Sequence, residues 1–335
     1  MNYTHQYRQD LISGKWIIMA NNRHQRPDQF QKSFSFPSSS RDPGHNPFHP
    51  IVSELDHNEQ VNLVMRDEAG EGLVYNVANK FPIVRNDITL RKEEEGPYQA
   101  YRGYGTHELF IYKDPHLPVR DFSEKRIQAM FQAFQKRSLQ LMHDQPLKHI
   151  FIFHNDGYRA GASVAHPHSQ LLASTIVPQG LCQMLATTQS YYTAHKRSAF
   201  TVMLNHERED GRRIVAENDD FLALCPYASE NPYQIDIFPK EHKPHFPFIS
   251  EDMHRDLAQI YKHVLQLHYH TLGELDYNMY LFTAPCDGKG HEYFRWFIRI
   301  IPQVSIPGGY ESGVGIPVCT VLPEHAAEEL TSSYD

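Results

Sequence analysis

The sequence predicts an α+β fold in which one unit is used twice, mainly antiparallel sheet with helices packed on it. Two sets of short apolar or alternating runs carry this reading. Residues 73–77, 106–112 and the run from 150 onward form one set; residues 221–224, 233–239, 277–283 and 293–301 form the other. Each set contains one long stretch of helical spacing, so the order strand, strand, helix, strand, strand occurs twice. A charged segment, NHEREDGRR at 205–213, separates them as an expected turn and places the units at 1–204 and 205–335.

In chain order, residues 7–30 read as strand and then loop, with Gly14-Lys15 turning into Trp16-Ile17-Ile18. Arg23 and Arg26-Pro27 follow. They form either a solvated basic pair or a guanidinium clamp on phosphate. Residues 31–60 are rich in Ser, Pro, Asn and His without period and read as loop. Asn79-Lys80-Phe81-Pro82 ends the strand at 73–77. Ser123 suits the cap of a helix whose Ile127, Met130, Phe131 and Phe134 fall on one face. Residues 181–197 read as helix. In the second unit Ser250 precedes a helix carrying Met253, Leu257, Ile260, Tyr261, Val264 and Leu265.

Composition excludes several functions. The chain has 335 residues, 40% of them hydrophobic, and a net charge of −8. An acidic balance argues against nucleic-acid binding, which needs clustered Lys and Arg. No run approaches the roughly 20 apolar residues of a membrane helix. The start, MNYTHQYRQDLISGKW, lacks an apolar signal core. Cys182, Cys225, Cys286 and Cys319 are scattered without a Cys-x-x-Cys, as expected of reduced thiols in a cytoplasmic protein.

The chemistry concentrates in HNDGYRAGASVAHPHSQ, residues 154–170. His166, His168 and Gln170 lie two apart, which on an extended segment puts all three on one face. A His-x-His pair alone specifies little, since it also suits a metal site or a satisfied surface pair. Here it follows Gly157, Gly161 and Ser163, whose backbone N–H groups can approach a phosphate closely. Gln170 adds a donor without charge.

Asn155-Asp156-Gly157, Gly161-Ala162-Ser163 and His166-Pro167-His168-Ser169-Gln170 together resemble the signature of the histidine-triad superfamily. The resemblance is closer to its nucleotidyltransferase branch, the galactose-1-phosphate uridylyltransferase family, which includes ADP-glucose phosphorylase-like proteins. It implies two histidine-triad-like modules. The first keeps the active site, and the second has Arg295-Trp296-Phe297-Ile298-Arg299 where the histidines stood. It also implies transfer of a nucleoside monophosphate, UMP by expectation, between a nucleotide-sugar and a hexose 1-phosphate. His168 would be the covalent nucleophile, and His166 would hold a metal or orient its neighbour. A phosphorylase or adenylyltransferase is the alternative, and a non-catalytic nucleotide-binding protein is the rival from another class.

By the same resemblance Arg23 and Arg26 lie near the substrate phosphates, Asn79 and Phe81 against the base and ribose, and Asn155 in the loop. Tyr310 and Glu311 would hold sugar hydroxyls in a partner subunit's site, which implies a homodimer. Relatives carry Cys-Pro-x-Cys where this chain has Asn46-Pro47-Phe48-His49. A zinc site would then fall to His45, His49, His116 and His166, and a second metal site is expected to be absent. An unshifted nucleophile would lose activity below a pKa of about 6.5.

Overall fold

A single antiparallel sheet of ten strands runs through both halves of the chain. The computed structural model describes residues 5–21, 36, 40, 42, 44–54 and 61–332. The first half holds β1 (His5–Gln9), β2 (Trp16–Ala20), α1 (His49–Glu54), β3 (Val61–Arg66), β4 (Gly72–Ala78), β5 (Lys92–Glu95), β6 (Tyr98–Tyr101) and β7 (Gly105–Tyr112). It continues with α2 (Glu124–Leu141), β8 (His149–Asp156), β9 (His168–Ser174), α3 (Gln179–His195) and α4 (Ala199–Asp210). The second half holds β10 (Ile214–Glu217), β11 (Phe221–Leu224), β12 (Ile235–Pro239), α5 (Met253–Leu272), β13 (Tyr277–Phe282) and β14 (Phe297–Pro302). Last come α6 (Gly309–Val314), β15 (Val318–Cys319) and α7 (Pro323–Ser332).

The sheet order is β10-β11-β12-β14-β13-β8-β9-β7-β4-β3. Each half supplies five neighbouring strands, and the halves meet where β8 pairs with β13, Phe153 opposite Tyr280. The repeated order in the sequence therefore becomes a mirrored order in space. Period-2 alternation gives the sheet two faces. One face carries Ile150, Ile152, Leu171 and Ala173 with Met279, Leu281, Ile298 and Ile300, all buried under α2 and α5. The helices meet there, with the Phe131 and Tyr261 rings edge to face at 5.2 Å. The opposite face carries the candidate chemistry.

The first helix begins as its sequence dictates: the Ser123 side chain accepts the Arg126 N–H. The second does not. Asp252 occupies the cap position of α5 and makes no side-chain cap bond, so Ser250 does not cap it.

Residues 205–210, expected as a turn, are the end of α4, which stops at Gly211 with φ of 73°. Charge concealed this helix. Its Glu207 is buried, yet paired with the Arg213 guanidinium at 2.8 Å. Residue 204 consequently lies inside a helix. Arg213 also reaches Glu324 of α7 at 2.7 Å, and Arg8 of β1 reaches the same carboxylate at 3.0 Å. The Tyr227 ring lies 4.4 Å from Arg8 and 5.4 Å from Arg213. This ionic cluster joins the small β1-β2-β15 sheet, where β15 runs parallel to β2, to the main body. Among the described residues no helix is long and apolar enough to cross a membrane.

Candidate active site

β9 lies between β7 and β8, with His168 opposite Ile111 and Ser169 opposite His154. Alternation turns Ser169, Leu171 and Ala173 into the helix-covered core. It turns His168 and Gln170 to the other face. His166 does not share the strand, because residues 163–166 bend and β9 starts only at His168. The expected three-residue face is thus a two-residue face. His166 turns instead toward Asn46 and the Tyr112 carbonyl. The Phe48 ring bridges the two imidazoles, with centroids 5.7 Å from His166 and 5.0 Å from His168.

Hydrogen bonds assign the His168 tautomer. Its Nδ1 lies 2.9 Å from the His166 carbonyl oxygen. A carbonyl only accepts, so Nδ1 carries the proton and Nε2 keeps its lone pair. Burial pushes this imidazole down to about 4, with smaller downward effects from His154 and His166. His168 is therefore neutral at neutral pH and well below it. The unshifted value near 6.5 expected from sequence does not apply, because the side chain is only 5% exposed. Behind it, His154 Nδ1 donates to the His168 carbonyl at 2.9 Å, and the Ser169 hydroxyl lies between His154 and Tyr112.

Gln170 is oriented by His107, a residue that sequence reasoning placed only in a strand. The Ile83 N–H donates to His107 Nδ1 at 3.2 Å, so the proton sits on Nε2 and is given to Gln170 Oε1 at 3.0 Å. The amide nitrogen of Gln170 becomes the end that faces away from His107. Burial lowers the His107 pKa, which keeps this relay neutral. Asn79 lies beside this relay, its Nδ2 3.4 Å from His107 Nδ1, the accepting nitrogen of the ring. Its Oδ1 accepts the Phe81 N–H at 2.9 Å. Phe81 is 80% exposed, so it is no part of the core.

The loop after β8 is held by the second half of the chain. Asn278, opposite Asn155 across the β8–β13 pair, donates to Asn155 Oδ1 and to the Ala160 carbonyl, both at 2.8 Å. Asp276 accepts the Arg159 N–H at 2.6 Å and packs against Gly157. Gly157 has φ of 89°, and a Cβ there would stand 1.9 Å from the Asp276 carboxylate. Only glycine fits. The Gly161 and Ala162 N–H groups are used inside the loop, by the Tyr158 and Gly157 carbonyls at 3.0 and 3.1 Å. The Gly161 N–H is thus not offered outward in this conformation, contrary to expectation. Ser163 is exposed in the bend before the histidines. Asp276 and Asn278 left no signal in the sequence, since only strand register brings them here.

Arg23 and Arg26 lie outside the described residues. Tyr310 and Glu311 lie on α6, which buries none of its six residues. His45, His49, His116 and His166 do not gather: no three His, Cys, Asp or Glu among the described residues form a metal-holding group. His116 is exposed at a turn where its N–H is held by Asp114 at 2.9 Å. His166 has Asn46 on one ring nitrogen and the Tyr112 carbonyl on the other. The donor set as folded does not fit a zinc ion.

Comparison with known proteins adds an independent line. Residues 1–178 match the family described as galactose-1-phosphate uridyl transferase, N-terminal domain. An Arabidopsis thaliana protein named ADP-glucose phosphorylase is 27% identical, the match covering 98% of this chain and 93% of that protein. A Thermotoga maritima protein named galactose-1-phosphate uridylyltransferase is 25% identical, covering 96% of each. Among solved structures, an Arabidopsis thaliana ADP-glucose phosphorylase with bound ADP-glucose superposes with a TM-score of 0.82 at 23% identity, covering 98% of this chain and 99% of that one.

Proposed function

Because this chain belongs to the galactose-1-phosphate uridyl transferase family, we propose that it transfers a nucleoside monophosphate from a nucleotide-sugar through a covalent bond to His168. The observation that carries this reading is the His168 tautomer. A buried neutral imidazole with its proton fixed on Nδ1 presents Nε2 as a nucleophile without needing a base. In the first half-reaction Nε2 forms a bond to the α-phosphorus. The bond from that phosphorus to the bridging oxygen breaks, and the sugar 1-phosphate leaves with the electron pair. In the second half-reaction an acceptor oxygen takes the phosphorus and Nε2 recovers its lone pair.

Charge shifts between phosphate oxygens as these bonds exchange, and fixed donors answer it without reorganising. Gln170, oriented by His107, serves this role, with the loop at Asn155, Gly157 and Ser163 beside it. Arg23 and Arg26 act as phosphate contacts, and Asn79 and Phe81 as base and ribose contacts. Tyr310 and Glu311 act on the sugar across a homodimer, with α6 available for that contact because it is not buried in its own chain. An inactive His168 variant mixed with an inactive Glu311 variant then regains activity.

Two acceptors fit this chemistry. A hexose 1-phosphate with a uridylyl group is one. Inorganic phosphate with an adenylyl group is the other, favoured by the Arabidopsis relative named ADP-glucose phosphorylase. The deciding experiment incubates the protein with labelled UDP-glucose or ADP-glucose and no acceptor, then adds galactose 1-phosphate or phosphate. An acid-labile, base-stable nucleotide on His168, discharged by one acceptor, supports the reading. Absence of any labelled protein from both donors sinks it.

A further inference from the structure

Both ring nitrogens of His166 are engaged, and the group at Nδ1 is an amide. Asn46 Nδ2 lies 2.9 Å from His166 Nδ1. Its Oδ1 accepts the Phe48 N–H at 3.1 Å, which fixes the amide with nitrogen toward the imidazole. Nδ2 can only donate, so His166 Nδ1 is an acceptor and its proton sits on Nε2. That proton is given to the Tyr112 carbonyl at 2.5 Å. Asn46, Phe48, His166 and His168 are 3%, 7%, 1% and 5% exposed. At this depth an unsatisfied imidazole nitrogen is costly, and here neither is left bare.

We propose that Asn46 is a positioning residue: its amide holds His166 as a metal ion would, and through His166 it sets the orientation of His168. The route is short. The Asn46 amide and the Tyr112 carbonyl fix the plane and position of the His166 ring. A fixed His166 aims its own carbonyl at His168 Nδ1–H. That bond leaves Nε2 as the attacking atom, so the proposal rests on reading His168 as the nucleophile. The ring of Phe48, a residue whose backbone N–H is tied to Asn46, packs on both imidazoles and stops either from turning. A metal ion on His166 would have to displace the amide or the carbonyl. It would also bring charge beside a nucleophile that must stay neutral, whereas an amide brings none. In this chain, then, the segment 46–48 does by hydrogen bonding and packing what a thiolate-bound ion does by coordination.

The experiment uses the whole protein and begins without substitution. Nitrogen-15 NMR of the labelled histidines reads the His166 tautomer directly. The expected result is a proton on Nε2 and a hydrogen-bonded, metal-free Nδ1, in protein carrying well under one zinc per chain and unaffected by chelator. A stoichiometric metal on His166, or a proton on its Nδ1, overturns the proposal. Substitution then tests the route. Losing a residue that orients a reactive group costs about 10–100-fold. Asn46→Ala should lower single-turnover labelling of His168 by that factor while nucleotide-sugar affinity stays within about twofold. Asn46→Asp, which cannot donate, should move the His166 proton to Nδ1 and lower labelling further. Asn46→Ser, which keeps a donor, should recover part of the rate. Wild-type labelling speed in folded Asn46→Ala overturns the proposal. If wild-type His168 is never labelled by any nucleotide-sugar, the nucleophile reading fails instead, and the tautomer measurement still decides the bracket.

Discussion

The two halves of the ten-stranded sheet place different chemistry at equivalent positions. On β9 the face turned away from α2 and α5 presents His168 and Gln170; on β14 the matching pair is Phe297 and Arg299. His168 is neutral, with one nitrogen left for reaction. Arg299 is consumed: it forks onto Asp236 at 2.8 and 2.7 Å, and a second carboxylate, Glu230, lies at 3.4 Å. Phe297 stacks on Phe282 at 4.6 Å. At these two positions the second half is therefore occupied by its own contacts. It has not become idle, since its Asp276 and Asn278 hold the loop that serves the first half. One copy of a duplicated unit can lack the histidines and still hold the loop beside the other copy's histidines.

The sharpest break of this comparison is His168→Gly. It removes the group proposed to carry the nucleotide, so turnover should fall by at least about 10⁴-fold while nucleotide-sugar binding, measured by calorimetry, stays largely intact. Added imidazole should return part of the activity by supplying the missing nitrogen. Wild-type turnover in this variant would remove the distinction between the halves.

Next in size is the contact between them. Gly157→Ala forces a methyl into the Asp276 carboxylate. Displacing the loop by about 1 Å should cost on the order of 10²-fold in kcat/KM. Asn278→Ala, which opens the same contact without overpacking, should give a smaller loss with unchanged secondary structure by circular dichroism. If both variants turn over normally, the second half does not support the site.

Arg299→Met reads the other side of the comparison. It strands the buried Asp236 carboxylate and should lower unfolding stability by about 3–5 kcal/mol in denaturant titration. The His168 labelling rate of the folded fraction should hardly change. The smallest expected effect is in pH. A group depressed to about 4 is neutral above that value, and its nucleophilic form is lost only as pH falls through it. Single-turnover labelling of His168 should thus vary less than about twofold between pH 7.5 and 5.5. A decline centred near 6.5 would mean that His168 is solvated in the working enzyme.

Much of this was legible in the sequence because it depends on local order. Alternation and helical spacing located α2, β4, β7, β11 and the repeated strand order, since burying one face of each element requires those periods. The reactive segment could be read too: glycines, His166, His168 and Gln170 lie within seventeen residues, and residue type limits what they can do. Where charge replaced apolar spacing the reading failed. The end of α4 looked like a turn because its inward Glu207 is matched by Arg213, a partner in the next strand's approach. Ser250 looked like a cap because nothing local showed that α5 starts three residues later.

What tertiary structure alone decided is the state of the groups. Sequence names two histidines two residues apart. Only the bend before β9 separates their roles, sending His166 to Asn46 and Tyr112 and leaving His168 on the strand with its proton on Nδ1. The pKa near 4 belongs to burial, which no residue carries in its identity. His107 behind Gln170, and Asp276 and Asn278 behind the loop, come from segments 63 to 123 positions away in the chain. Their pairing is set by sheet register. Register follows from which faces must be buried together, and that is a property of the assembled sheet rather than of any one strand.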